Sequence, residues 1–335
     1  MVRHIRNMVI TFIIGLAVLA ALVCCAGLKQ VCAIIVRVSM PRLLLTLALS
    51  CLTWVFLTLR LALFTRQAGS IISLAELFKM HISGYALNAI LPAKLGDAAL
   101  AGFLSMKGIP LGRSAAIVLQ TRVLDIFAII CYTIPAFIML AGREAPQWMT
   151  ASLVICLAIV AVPIATLIID RKMKLGDALE KLGAALKGKI LRMAVMKVRE
   201  AYCAYHDMMS DRHLLFFSVL LSLLLWLNYG LICCATAYAA GAEIPLAAGI
   251  GALAAANIGK GLAPVPGGTG IYEGVLAGML TLFGMSFDLA LVIAILTHFI
   301  PKAVTLLIGL PATAMLGFDI RTISQAQKPE GACSN

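Results

Sequence analysis

Apolar residues run in long blocks along this chain, and polar residues crowd into the gaps between them. The blocks at 8–27, 43–64, 114–140, 147–169, 214–240 and 289–316 each reach the roughly 20 residues a helix needs to cross a hydrocarbon core about 30 Å thick. None shows the one-sided stripe of a helix half-buried in a soluble core. Two further apolar regions, 71–106 and 245–285, are interrupted near their middles. "LNAILPAKLGDAALAGFL" (Leu87–Leu104) breaks the first, and "GLAPVPGGTGIYEG" (Gly261–Gly274) breaks the second. The pattern predicts an all-α polytopic membrane protein, a single membrane domain over 1–335, with about six full spans and two opposed re-entrant hairpins of broken helix.

Composition sharpens this. Of 335 residues 62% are hydrophobic and only 13% charged, too few charges to cover a soluble core of that size. The net charge of +12 sits mostly in the gaps, where basic residues set topology and touch anionic headgroups. Nucleic acid is not an expected partner, because no aromatic-basic surface or soluble module is available to bind it. The ten cysteines are scattered without a CxxC pair and read as small packing residues. No metal site and no cofactor are expected. The start resembles a signal peptide, but its apolar part runs from Met8 to about Gly27 with no A-x-A site after it, so an uncleaved first span is expected.

The segment 170–213 carries ten Lys/Arg against six Asp/Glu and is amphipathic over Lys172–Met208, which places it on the cytoplasmic surface. Both termini, including a tail over 318–335, then fall on the same side, that of the cytoplasm in a bacterial inner membrane. Parity makes each broken region enter and leave from one side, the first from the cytoplasm and the second from outside. The 28–42 loop, placed outside, opposes the scheme with Lys29, Arg37 and Arg42.

Span, hairpin and span thus occur twice, over 43–140 and 214–316, in opposite orientations. Inverted repeats of this kind are a common transporter plan, with the site where broken helices meet. Asp97-Ala-Ala-Leu-Ala-Gly-Phe-Leu aligns with Glu273-Gly-Val-Leu-Ala-Gly-Met-Leu, and the same offset lays Thr121-Arg122 over Thr297-His298.

The breaks are where chemistry is expected. Pro264 and Pro266 lack N–H donors, and Gly267, Gly268 and Gly270 permit positive φ, so "PVPGGTG" cannot be regular helix. Free amides beside a helix N-terminus suit a phosphate or carboxylate. Glu273 lies in the first turn of the following helix and could satisfy those amides itself. Other charges inside apolar blocks are Glu76, Lys79, His81, Lys94, Asp97, Arg122, Asp125, Lys260, His298 and Lys302; such charges are costly in lipid and usually face an interior cavity. Arg122 and Asp125, three apart, can pair, and Lys302 could snorkel. The candidate substrate-binding set is Asn88, Lys94, Asp97, Arg122, Asp125, Asn257, Lys260, Gly267, Gly268, Gly270, Glu273 and His298. Catalytic motifs are missing: no GxSxG, HExxH or complete P-loop occurs, so the chain is not expected to be an enzyme.

"WVFLTLRLALF" (Trp54–Phe64), "GYALNAILPAKLGD" (Gly84–Asp97), "LQTRVLD" (Leu119–Asp125) and "APVPGGTGIYEG" (Ala263–Gly274) together resemble the flippase-like membrane domain of lysylphosphatidylglycerol synthases, which also exists as stand-alone proteins. The resemblance runs from about Trp54 to Gly309. It implies flipping or scaffolding of an amphiphile with a polar headgroup: an anionic or aminoacylated phospholipid, or a polyprenyl- or hopanoid-type lipid. Two positions depart from the family's pattern, which often has an arginine near Ala99, Leu100 and Ala101 and another where His298 stands. The aminoacyl-transfer domain of bifunctional members is missing from this sequence, so it is not expected to make lysyl-lipid itself. Two readings follow. One is a lipid flippase in which Lys94, Arg122, Lys260 and the glycine amides receive an anionic headgroup, while Asp97 and Glu273 bind a cationic part or set the cavity's protonation. The other is a lipid-binding membrane partner that recruits a lipid-modifying synthase or glycosyltransferase through 170–213.

Overall fold

A computed structural model describes residues 2–91, 94–140, 175–186, 188–262 and 265–317, with four isolated positions between 154 and 161. All but those four positions of the expected span at 147–169, the tail over 318–335, and Pro92, Ala93, Ala263 and Pro264 of the two breaks lie outside the described residues. The described chain is helical: α1 (Val2–Ala26), α2 (Leu28–Arg37), α3 (Met40–Gln67), α4 (Leu74–Ile90), α5 (Leu95–Met106), α6 (Leu111–Leu140), α7 (Leu175–Ala185), α8 (Lys189–Ser210), α9 (Arg212–Ala239), α10 (Leu246–Leu262), α11 (Ile271–Leu282) and α12 (Phe287–Met315).

Local chemistry fixes the boundaries. Pro41 opens α3, where its missing N–H costs nothing. Ser73 caps α4 by accepting from Glu76 N–H, and Asp211 caps α9 by accepting from His213 and Leu214 N–H. Four described helices are long and apolar enough to cross a membrane: α3, Leu111–Ile134 of α6, α9 and α12. A fifth candidate is bent, since Phe12–Ala26 and Leu28–Arg37 meet at 89° around Gly27, whose φ is 84°. The 28–42 stretch is therefore not a loop. Most of it is α2, whose Val31 packs with Val292 of α12, and Arg42 stacks 4.2 Å from the Tyr238 ring centroid.

Helix lengths recur. Helices α3 and α9 both have 28 residues and begin 172 positions apart (212 − 40). Helices α4 and α10 both have 17 residues, again 172 apart (246 − 74). Helices α5 and α11 both have 12 residues, 176 apart (271 − 95), and α6 and α12 begin at the same interval (287 − 111). The change from 172 to 176 falls within the two breaks. Helices α3 and α9 pack antiparallel along their length: Arg42 meets Tyr238, Thr46 meets Thr236, Thr53 meets Asn228, and Arg60 meets Ser222. The hairpins are exchanged, because α4 packs on α12 and α10 on α6. Gly309 lets α12 approach α4 closely; a Cβ there would lie 2.6 Å from the Ile82 carbonyl oxygen.

Within the 170–213 segment, residues 175–185 and 189–210 form α7 and α8, which pack on each other, with α8 also against α6 and α9. Arg199 ties them together, donating to Glu180 at 2.6 Å and to the Gly176 carbonyl.

Candidate functional site

The first break separates α4 from α5. Lys94, with φ 54° and ψ 36°, starts α5 from the left-handed region, where among the described residues no other non-glycine stands. Gly96 brings α5 against α4, since a Cβ there would strike the Gly84 carbonyl and lie 2.7 Å from Asn88 N. This close approach presents Asp97 to two partners. Asn88 Nδ2 donates to Oδ1 at 2.8 Å, and Arg122 of α6 donates through Nη2 to Oδ1 at 2.5 Å and through Nε to Oδ2 at 3.1 Å. The forked geometry is the strong form of such a pair. Arg122 Nη1 also reaches the Tyr85 hydroxyl at 3.1 Å and Asp125 Oδ2 at 3.4 Å. Asp125 Oδ1 in turn accepts from Arg60 Nη1 at 2.6 Å, and the same nitrogen reaches Ser222 Oγ at 2.8 Å. Charges therefore alternate along Asp97, Arg122, Asp125 and Arg60, and they cancel. Such pairing is what makes a guanidinium as buried as Arg60, 1% exposed, tolerable.

The second break carries a single 3-10 turn, Pro266–Gly268. Gly267, Gly268 and Gly270 have φ of 64°, 69° and 86°. Added Cβ atoms would strike the Lys260 stem at Gly268 and the Gly15 carbonyl of α1 at Gly270. Glu273, fully buried, holds this turn. Its Oε2 accepts from Gly270 N–H at 2.6 Å, and its Oε1 lies 2.6 Å from His298 Nδ1 on α12. Tyr272 stacks on the His298 ring with centroids 4.2 Å apart. Lys302 Nζ donates to the Gly267 carbonyl at 3.3 Å and to Thr269 Oγ1 at 3.2 Å, and so turns toward the break rather than snorkelling away.

The two breaks touch. A Cβ on Gly267 would stand 3.2 Å from the Ala89 carbonyl oxygen near the end of α4. Lys94, Lys302, Arg122 and Glu273 all lie within electrostatic reach of Lys260, whose Nζ is 5.9 Å from the Tyr272 ring centroid. Three lysines thus gather where both first-turn acids are already engaged, Asp97 by Arg122 and Glu273 by His298. The junction carries excess positive charge.

Of the candidates chosen from sequence, Asn88, Asp97, Arg122 and Asp125 share the first network. Gly267, Gly268, Gly270, Glu273, His298 and Lys260 surround the second break, and Lys94, exposed at the first, lies within electrostatic reach of Lys260. Asn257 joins neither, since its Nδ2 turns back onto the Leu253 carbonyl of its own helix at 2.9 Å. Glu76 lies apart, in an exposed pair with Lys107 at 2.5 Å. Arg60, Tyr85 and Lys302 enter as functional neighbours that the candidate set omitted. Arg60 had a signal, being the one charge in the apolar block 43–64. Among the described residues, no group of three His, Cys, Asp or Glu side chains is placed to hold a metal.

A family model described as the lysylphosphatidylglycerol synthase TM region matches residues 12–309. No curated protein and no solved structure matches the chain.

Proposed function

Because the chain belongs to the family of the lysylphosphatidylglycerol synthase TM region, we propose that this multi-pass membrane protein moves an amphiphilic lipid with a phosphate-containing headgroup between leaflets. The observation that carries the reading is the gathering of Lys94, Lys260 and Lys302 at the contact between two helix breaks whose acids are already paired. Charge of that sign inside a membrane domain suits an anionic group, while the acyl or prenyl chains stay in lipid. The headgroup class remains that of the family: an anionic or aminoacylated phospholipid, or a polyprenyl- or hopanoid-type lipid.

In this reading 43–140 and 214–316 are inverted repeats. The equal helix lengths at near-constant intervals and the antiparallel packing of α3 on α9 support it. The protein works in a bacterial inner membrane with both termini cytoplasmic, and the hairpins enter from opposite sides. It moves lipid without altering it, so it is not an enzyme.

Reconstitution into vesicles holding a fluorescent anionic phospholipid tests the proposal. The wild type is expected to equalise the probe between leaflets, and K260A and K302A to slow it by about tenfold each, the loss of one charge-assisted contact. Unchanged movement in both variants, and in D97N and E273Q as well, would sink it.

A second reading draws on α7 and α8. Leu191 and Val198, seven apart and so on one side of α8, are each more than half exposed on a helix that also carries Arg192, Lys197 and Arg199. Such a face suits a partner enzyme as well as a membrane surface. Changing the two apolar residues to serine, with lipid movement intact and capture of a lipid-modifying enzyme lost, would separate docking from transport.

A further inference from the structure

Residues Asp97 and Arg122 lie 25 positions apart, and so do Glu273 and His298. The two pairs stand at matching places, each joining the first turn after a break to the long helix that follows. They differ in one respect. An arginine is always charged, so the Asp97–Arg122 pair is fixed, whereas a histidine gains and loses a proton near neutral pH.

The ring geometry says which atom is free to do so. A carboxylate only accepts hydrogen bonds, so Glu273 Oε1 at 2.6 Å from Nδ1 places the ring's own proton on Nδ1. Nε2 then presents a bare lone pair. That atom is buried and has no hydrogen-bond partner among the described residues, on a side chain only 7% exposed overall. A buried acceptor without a donor is unfavourable; protonated, Nε2 becomes a donor, which an anionic oxygen would satisfy.

The surroundings are mixed in sign. Lys302 on α12 and Lys260 at the end of α10 bring positive charge, and Tyr272 of α11 covers the ring face. Cys233 of α9 lies within electrostatic reach of Tyr272. Helix α4 contributes the Ala89 carbonyl, and α1 brings Gly15 and Val18 to the turn, neither of which titrates. Helices α2 and α3, also packed on α12, contribute the apolar Val31 and Trp54 to the surrounding core.

We propose that Glu273 and His298 form a proton-binding site, and that a proton taken up on His298 Nε2 enters together with the anionic headgroup. This rests on the lipid-transport reading above. No covalent bond forms or breaks except N–H: the proton arrives from water on one side, converts the neutral imidazole to imidazolium against Glu273, and leaves to water on the other. The added charge strengthens a site that is already cationic, so anion and proton favour each other's binding. Release of one weakens the hold on the other.

Two measurements decide it. The first is histidine-selective NMR of the full-length protein in nanodiscs, with the His298 signal assigned by its loss in H298R. The expected result is a signal that titrates between about pH 4 and 9, the range around an ordinary histidine, and whose midpoint moves in E273Q. A His298 ring that keeps one protonation state across that range overturns the proton site, whether or not lipid moves. The second is translocation of a fluorescent anionic phospholipid in proteoliposomes under a pH gradient of either direction. In the wild type the rate should change several-fold when the gradient is reversed. H298R, which fixes a cation against Glu273 as Arg122 does against Asp97, should lose that dependence. A wild type that moves lipid at a rate indifferent to the gradient overturns the coupling and leaves the transport reading standing. A wild type that moves no lipid overturns the transport reading and the coupling with it.

Discussion

Glu273 lies 2.6 Å from His298, and the same carboxylate closes the turn that precedes it by accepting from Gly270 N–H. Capping its own helix and meeting a residue on the next helix are therefore not alternatives for this acid; one oxygen does each. Asp97 behaves otherwise. Both its oxygens face Arg122, with Asn88 as a further donor. Among the described residues, the first acid is thus held by side chains and the second by a backbone amide as well as a side chain.

That difference predicts unequal sensitivity. D97N keeps a polar group of the same size but loses the charge opposing Arg122, leaving a guanidinium that is 27% exposed with Asp125 and the Tyr85 hydroxyl. A loss of about 2 kcal/mol is expected, as for weakening hydrogen bonds to a charged group. E273Q retains an oxygen for either Gly270 N–H or His298, and about half that loss is expected. Denaturant or thermal unfolding in one detergent compares them directly.

Arg60 and Asp125 should be energetically coupled. R60A strands Asp125 with a longer 3.4 Å bond to Arg122, and D125A strands Arg60, whose Nε and Nη2 already have no partner among the described residues. Each single variant is expected to lose about 3 kcal/mol, because an unpaired charge stays buried. The double variant R60A/D125A should lose clearly less than the two losses together. Simple additivity in the same unfolding measurement would show that the pair does not act as one unit.

The glycines divide into those the packing requires and those it does not. G96A places a methyl against the Gly84 carbonyl, a backbone atom that cannot turn aside, and the α4–α5 hairpin should open. G102A lies six residues on in the same helix, with nothing within 4 Å of the added carbon, and should be neutral or slightly stabilising. Expression level and melting temperature of the two variants would separate them.

Opposed hairpins require the connections leading into them to face opposite sides. Ile71, 97% exposed before α4, and Glu243, exposed before α10, are suitable reporters. Cys24, Cys25, Cys32 and Cys51 are free and exposed, so the measurement starts from a chain with its native cysteines replaced. In intact cells a membrane-impermeant maleimide should label E243C and leave I71C unlabelled until the membrane is opened. Labelling of both from outside would remove the inverted arrangement.

Much of the architecture could be read from sequence because lipid imposes a coarse rule: apolar length makes a span, and Pro, Gly or charge within one marks a break. That rule located α3, α6, α9, α12 and both interruptions. The alignment of Asp97 with Glu273 likewise put Arg122 and His298 at equal distance before any contact was known. It could not read α2, because Lys29 and Arg37 look like loop residues when a short helix is bent 89° from the one before it. Nor could it pair Arg60 with Asp125, since their contact depends on how α3, α6 and α9 cross, and spacing along one helix carries no trace of that. Nor does the sequence disclose that Asn257 donates back to the Leu253 carbonyl of its own helix.

The exchange of hairpins, α4 on α12 and α10 on α6, has a consequence for how the molecule is made. Each broken helix has part of its seat in its own half, α4 on α3 and α10 on α9, and part in the other half. The first hairpin, with its paired acid and arginine, therefore completes its packing only when the last long helix has been inserted. Assembly is therefore completed from the C-terminal end. A chain truncated before α12 would leave α4 without its partner, and with it the contact of Ala89 with Gly267 on which the junction depends.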